Sequence, residues 1–291
     1  MENSKQFLKS LAGFSLGPLG AAALQFINVP IQTWLVTPTE LGKAAMYTMA
    51  FSLTSLFLNL GMDQAYMREY HAEQNKKNLL WNSFLVPFLF SLLLMVIYLF
   101  FFEPISMLLF GSIEKYIIKI LAFSLPFSVI FKFNTLILRM KENSKAYSLV
   151  QISHQLFSVG FTIIILLFFN RSFKGIIQAQ FFALILIGAL STLINLNEWK
   201  YRIKLDRKLL KKLASFGLPL MPASLIFWIL NSMDKVALRT WGTFEDIGMY
   251  SAASKIVGVA IVIQSAFTTF WIPTMYRWNE NNVALRNYEI V

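Results

Sequence analysis

Cysteine is absent from the sequence, and charged residues are scarce for a chain of this length. The lack of cysteine excludes disulfides and Cys-ligated metal sites. Charged residues make up 14% of 291 residues, against about 25% in soluble domains, so the composition excludes an ordinary soluble protein. The zinc-ligand spacings, phosphate-cradling glycine loop and Ser-His-Asp set that mark common enzymes are missing too. The sequence therefore predicts no metal, no cofactor and no catalytic residue.

Long hydrophobic runs take up most of the chain, which is 56% hydrophobic and contains 28 Phe. A bilayer core needs about 20 apolar residues per helix, and lipid offers no partner to an exposed backbone group. The pattern predicts an all-α polytopic membrane protein with eight spans. The predicted spans are Leu11–Val36, Leu41–Leu60, Leu79–Phe102, Ile117–Leu138, Tyr147–Phe169, Ile176–Leu196, Leu213–Leu238 and Gly248–Tyr276.

The net charge of +11 comes from basic residues in short blocks between the apolar runs. This distribution is typical of loop anchors and argues against a nucleic-acid partner. Most of the blocks precede spans one, three, five and seven, so the positive-inside rule predicts a cytoplasmic N-terminus. The block "EWKYRIKLDRKLLKK", at 198–212, is the strongest orientation signal and a predicted contact with anionic membrane lipid.

Two weak similarities within the chain suggest an internal repeat. The segment "SLAGFSLGPLGAA" resembles "KLASFGLPLMPAS". Further along the chain, "PTELGKAAMYTMAFSL" resembles "TFEDIGMYSAASKIVG". In this second pair, each segment is an acidic turn with Gly that opens a span. Six spans lie between the copies, so the copies share an orientation, as in two-lobed transporters. We expect an N-terminal lobe at 1–198 with six helices, and the start of a C-terminal lobe at 199–291. The second lobe would stop after two helices, as in a partial chain.

The stretch "LKKLASFGLPLMPASLIFWILNSMDKVALRTWGTFEDIGMYSAASKIVGVAIVIQSAFTTFWIPTMY" resembles spans seven and eight of polysaccharide flippases. These transport O-antigen and capsule repeat units and belong to the multidrug/oligosaccharidyl-lipid/polysaccharide exporter superfamily. The matching positions are Gly217, Pro219, Pro222, Asp234, Lys235, Gly242, Gly248, Tyr250, Ser251, Ala252, Ala253, Lys255, Trp271 and Pro273. The first lobe fits more loosely, through "TELGKAAMYT", "NLGMDQAYMREY" and "LILRMKENSKAYSLV".

The resemblance implies a flippase of the bacterial inner membrane. Its cargo would be an undecaprenyl-pyrophosphate-linked oligosaccharide, moved from the cytoplasmic to the periplasmic leaflet. The two lobes would enclose a cationic, laterally open cavity with alternating access. A polysaccharide polymerase and a chain-length regulator are the implied partners. The family has at least twelve spans and this chain has eight predicted ones.

Ionisable residues inside spans are functional candidates, because burying a bare charge in lipid is costly. Asp234 and Lys255 lie about two turns from the outer ends of their spans. Two interpretations stay open for them, a structural ion pair or a role in substrate binding or ion coupling. Lys132, about four turns into span four, is a candidate for the cavity wall. Lys235 and Arg239 could bind substrate or reach the outer surface with their long side chains.

Arg68 and Arg139 lie at the inner ends of spans, where they could meet the incoming diphosphate or anchor the chain. Asp63 and Glu69 are interpreted as loop residues. Three alternatives to a polysaccharide flippase stay open: a cation-coupled drug exporter or a peptidoglycan-precursor flippase of the same superfamily, a membrane enzyme acting on lipid-linked sugars, and an inactive truncated remnant. A drug exporter would be expected to have a more acidic cavity.

Overall fold

The computed structural model describes residues 2–201 and 204–255, and every regular element in these ranges is helical. The helices are α1 Glu2–Leu35, α2 Pro38–Asn59, α3 Met62–Glu69, α4 Lys76–Phe100, α5 Phe102–Phe110, α6 Lys115–Met140, α7 Ser144–Phe168, α8 Phe173–Ile194, α9 Leu196–Trp199, α10 Arg207–Gly217 and α11 Met221–Trp241. Residues 244–255 form a further helix, α12.

Six helices of the described part are long and apolar enough to cross a membrane, and a seventh is added if α2 and α3 form one bent span. The predicted all-α membrane fold is thus confirmed, and the first six predicted spans coincide with α1, α2, α4, α6, α7 and α8. Most of the predicted eighth span, Gly248–Tyr276, lies outside the described residues.

Helix α6 lies at the centre of the bundle, where it contacts α2, α4 and α8. Helix α7 packs between α8 and α1. Ile117, Leu121, Leu125 and Phe133 on α6 are fully buried. Since lipid is as apolar as these side chains, close packing rather than exclusion of water holds such helices together. The central position of α6 explains how Lys132, on the same helix, can reach the interior of the protein.

The two ends of the bundle differ in charge. One end, called the basic end below, carries Arg68, Lys76, Arg139 and Lys208, and the other, called the opposite end, carries Glu40, Glu114 and Lys174. The segment after span three forms α5, which is followed by Gly111 with a left-handed φ of 66°. The loop is then tied to the bundle by the Glu114–Lys174 ion pair, 2.7 Å.

The chain continues as a helix beyond the predicted end of span two. Helix α3 follows α2 after a bend of 49°, at Leu60 and Gly61, whose φ values are 49° and 69°. The interpretation of Asp63 and Glu69 as loop residues is therefore wrong. Both lie in α3 and are buried, because the bend turns α3 against α4, α6 and α10.

The predicted seventh span, Leu213–Leu238, lies within Arg207–Trp241, one of the six candidate spans, which consists of α10 and α11. Helix α10 is capped by Asp206, whose carboxylate accepts from the backbone N–H groups of Lys208 and Leu209. A 3-10 turn, Leu218–Leu220, separates it from α11. Pro219 lies in this turn, and Pro222 lies in the first turn of α11, where a missing N–H costs little.

Helices α2 and α12 begin in the same way. The hydroxyl oxygen of Thr37 accepts from the backbone N–H of Glu40, and that of Thr243 accepts from the backbone N–H of Asp246. Asp246 accepts in return from the hydroxyl and the backbone N–H of Thr243, and these hydrogen bonds lower the pKa of Asp246. The two caps belong to the similar segments of the suggested repeat, and the two helices cross near them.

Candidate functional site

A groove between α2 and α11 is the candidate site. It consists of two cavities, one of about 320 Å³ towards the opposite end and one of about 880 Å³ towards the basic end. Ser52 on α2 and Ser232 on α11 line both, so the cavities adjoin. We call them the smaller and the larger cavity. The volumes lie in the range of small-molecule sites.

The smaller cavity is positively charged. Lys235 on α11 and Lys255 on α12 line it, and α1, α2 and α8 complete the wall. The Lys255 ammonium donates to Gln32 Oε1 at 3.1 Å, a neutral acceptor that leaves its charge uncompensated. No carboxylate belongs to the described lining. An anion in this cavity would meet two cations in a setting that screens charge poorly.

The larger cavity contains one ion pair and many neutral polar groups. Lys132 Nζ lies 3.3 Å from Asp63 Oδ2, with 43% of the lysine side chain exposed. The bent α2–α3 connection places Asp63 here, while α6 supplies Lys132. The polar lining is completed by Ser52, Ser55, Asn59, Gln64, Ser224, Asn231 and Ser232. Trp228 and Phe227 on α11 add aromatic surface.

Asp234 and Lys255 do not form the ion pair that the matching depths suggested. Asp234 accepts a hydrogen bond from the Tyr250 hydroxyl, whereas Lys255 donates to Gln32. Of the ion pairs within 2–201 and 204–255, none joins these two residues. The matching depths place both residues on one hairpin, but they do not specify which faces of the two helices meet.

The three arginine candidates lie outside the described lining of both cavities. Arg68 stacks over the Phe216 ring at 4.3 Å. Its neighbour Glu69 accepts from Lys212 and so links α3 to α10. Arg139 is exposed at the basic end.

Arg239 lies over the Phe244 ring at 4.8 Å. Its Nη2 donates to the Met107 carbonyl at 3.5 Å, which connects α11 to α5. Arg239 therefore joins α11 to α5 and α12 and has a structural role.

Sequence reasoning missed several residues of the groove. Asp63 was assigned to a loop, although a carboxylate so close to a predicted span end could have been matched with a buried lysine. The sequence around Gln32 and Trp228 did not mark them as site residues, because a polar or an aromatic side chain in a span is common. Within the ranges that the structure covers, no three metal-ligating side chains come together. The lysines and the polar side chains of the groove are suited to an anionic molecule that carries hydroxyl groups.

Solved transporters share this arrangement of helices. A multidrug resistance MATE family transporter of the MOP superfamily, in an outward-facing conformation, superposes with a TM-score of 0.60 and 16% identity over 95% of this chain and 71% of its own. A MOP superfamily transporter from Pyrococcus furiosus gives 0.59 and 16% over 90% of this chain and 67% of its own. The chain therefore has the fold of these solved transporters.

A family model identifies the family of this chain. The model described as "Polysaccharide biosynthesis protein" matches residues 7–278, so this chain belongs to that family. The succinoglycan biosynthesis transport protein ExoT of Rhizobium meliloti is 24% identical over 277 residues. The match covers 94% of this chain and 54% of ExoT, so the chain spans about half the length of this curated relative.

Proposed function

We propose that this chain forms part of a flippase for polysaccharide repeat units linked to undecaprenyl pyrophosphate. The proposed location is the bacterial cytoplasmic membrane, with the N-terminus and the basic end in the cytoplasm. The cargo moves from the cytoplasmic to the periplasmic leaflet by alternating access to the groove. Since the curated relative is nearly twice as long, the proposal concerns the transporter to which this chain contributes its first lobe and the groove.

The distribution of charge along the groove is the observation that carries the proposal. Lys132 lies in the half near the basic end, and Lys235 and Lys255 lie in the other half. Asp63 is the one described carboxylate in the lining, and Lys132 neutralises it. A diphosphate cannot cross hydrocarbon unaided, because removing its charge from water costs too much. Cations along a wet path offset that cost for an anionic head group.

The same charge distribution disfavours the drug-exporter alternative. Cationic drugs need unpaired carboxylates or an aromatic cage, and the smaller cavity offers two ammonium groups instead. The Pyrococcus furiosus transporter is itself described as having a binding pocket of reverse polarity that suggests a different function. A peptidoglycan-precursor flippase would also carry a lipid diphosphate, but the family match is to polysaccharide biosynthesis.

Two further parts of the proposal follow from the cargo. The polysaccharide is an O-antigen, a capsule or a secreted polymer. Succinoglycan is the polymer named for ExoT and is not assigned to this chain. A polymerase and a chain-length regulator would receive the repeat unit on the periplasmic side. The relatives are transport proteins, which supports transport over the enzyme alternative.

The test is the sidedness of the lipid-linked oligosaccharide in cells with and without the gene. Right-side-out membrane vesicles are treated with membrane-impermeant periodate, which oxidises only the sugars on the outer face. We expect oxidised repeat units in vesicles from cells with the gene and protected ones in vesicles from the deletion strain. Equal oxidation in both strains would overturn the proposal, provided that total lipid-linked oligosaccharide is equal.

A further inference from the structure

The larger cavity has one aromatic wall that is held in a defined orientation. Trp228 Nε1 donates to Ser52 Oγ at 2.9 Å, which fixes the plane of the indole across the groove. Phe227, the preceding residue, is 69% exposed and lines the same cavity. A hydrogen-bonded indole is a rigid platform, so a ring that stacks on it loses little further freedom.

In the lining of the same cavity, α2 has polar atoms without a hydrogen-bond partner among the described residues. Ser55 Oγ and Asn59 Oδ1 are buried and make no hydrogen bond within the described part of the chain. The Asn59 amide nitrogen donates to the Ser55 carbonyl at 2.7 Å, so the side chain is oriented and only its oxygen is left unpaired. Buried polar atoms without partners are costly. A ligand with hydroxyl groups would supply the missing hydrogen bonds.

An aromatic face opposite hydroxyl and amide groups fits a sugar better than a diphosphate. A pyranose ring has apolar C–H groups on its face and hydroxyls around its rim, so it can stack on an indole and hydrogen-bond at its edges. A diphosphate needs cations, and the described cation of this cavity, Lys132, is already paired with Asp63. Lys235 and Lys255, which form no ion pair within the described residues, lie in the adjoining smaller cavity.

We infer that the larger cavity is a glycan subsite. Trp228 stacks on a sugar of the repeat unit, and Ser55 and Asn59 hydrogen-bond its hydroxyls, while Lys235 and Lys255 in the smaller cavity bind the diphosphate. This assignment rests on the proposed function and adds to it a division of the groove into a neutral sugar-binding part and a cationic part. Neither part alone would bind the whole cargo tightly.

The experiment measures binding of a neutral oligosaccharide to the protein in native membrane vesicles. The probe is the radiolabelled repeat-unit oligosaccharide, released from the cell's own polysaccharide by mild acid, without lipid or phosphate. We expect Trp228→Ala to weaken binding about tenfold and Trp228→Phe, which keeps an aromatic face, to weaken it about threefold or less. Asn59→Leu should also weaken binding. Lys119→Gln, at an exposed residue of α6 that lies in neither cavity lining, should bind the neutral probe as the unmodified protein does.

Trp34→Ala is the matched control, because Trp34 on α1 is 86% exposed and lines neither cavity. Each variant is checked for thermal stability, and Trp228→Phe remains informative if Trp228→Ala fails to fold. Equal probe affinity in the unmodified protein and in Trp228→Ala, or a loss of affinity in Trp34→Ala as large as in Trp228→Ala, would overturn the glycan subsite. Failure of the periodate test would instead overturn the flippase proposal, since probe binding does not depend on transport.

Discussion

Gly42 on α2 and Gly248 on α12 pack backbone to backbone in a reciprocal contact. A Cβ added at Gly42 would lie 1.9 Å from the carbonyl oxygen of Phe244, and one added at Gly248 would lie 1.9 Å from that of Pro38. Both glycines stand five residues after a capping threonine. The contact is therefore equivalent for the two helices: each glycine lies against the backbone at the start of the other helix.

Substitution of either glycine by alanine should therefore destabilise the protein. No side chain fits at 1.9 Å from a backbone oxygen, so α2 and α12 must separate, at an expected cost of about 3 kcal/mol in the free energy of unfolding. Gly160 in the middle of α7 is the control, because an added Cβ there meets nothing within 4 Å. Gly160→Ala should be neutral or stabilise by up to about 1 kcal/mol. Thermal unfolding in detergent compares the variants, and equal melting of Gly42→Ala and Gly160→Ala would refute the close contact.

Lys132→Met should lower transport at least tenfold, a larger effect than its loss of stability explains. Asp63 is buried, so removing Lys132 leaves a carboxylate unpaired and destabilises the fold, whereas the loss of transport follows from the position of the lysine charge in the groove. Lys141 is a close match, since it lies just after the end of α6, pairs with Glu198 and has the same 43% side-chain exposure. It lines neither cavity. Sugar export in complemented deletion cells should fall for Lys132→Met and not for Lys141→Met, and parallel losses would argue against a special role for Lys132.

Removing either lysine of the smaller cavity should weaken binding of the lipid-linked diphosphate. A charge-assisted hydrogen bond contributes about 1.5–3 kcal/mol, so we expect Lys235→Gln and Lys255→Gln each to raise the apparent Kd about tenfold. The charge-retaining changes to Arg should preserve more of the affinity. Lys119→Gln serves as the control, because Lys119 is exposed on α6 and absent from both cavity linings. Unaltered affinity in both Gln variants would exclude the smaller cavity as the diphosphate site.

Asp234→Asn should leave the pH dependence of transport unchanged. Asp234 contacts Tyr250 and lines neither cavity within the described residues, so its contact is one that joins α11 to α12. Asp63→Asn should change transport, because Asp63 faces Lys132 in the groove. Tyr250→Phe, which removes the hydrogen bond to Asp234, should cost about 1 kcal/mol of stability. A pH profile altered by Asp234→Asn alone would instead favour Asp234 as a proton-coupling group.

The membrane fold could be predicted from sequence because its cause is local. Each span must satisfy its own backbone hydrogen bonds in lipid, so length and apolar composition suffice to locate a helix such as α4 or α8. The local signals also located the start of α12, where an acidic turn precedes Gly248. They failed at Leu60 and Gly61, where two left-handed residues bend the chain and a second helix, α3, begins, and they did not locate α5, which follows α4.

The candidate site depends on contacts between segments distant in sequence. Composition and hydropathy alone determined that this is a helical membrane protein, and the motif from Gly217 to Lys255 indicated its family. Only the tertiary structure decided that Lys132 faces Asp63, that Lys255 donates to Gln32 and not to Asp234, and that Trp228 lines the same cavity as Asn59. The physical reason is that hydropathy reports how deep a residue lies in the membrane, whereas the rotation of each helix about its axis is set by packing against its neighbours.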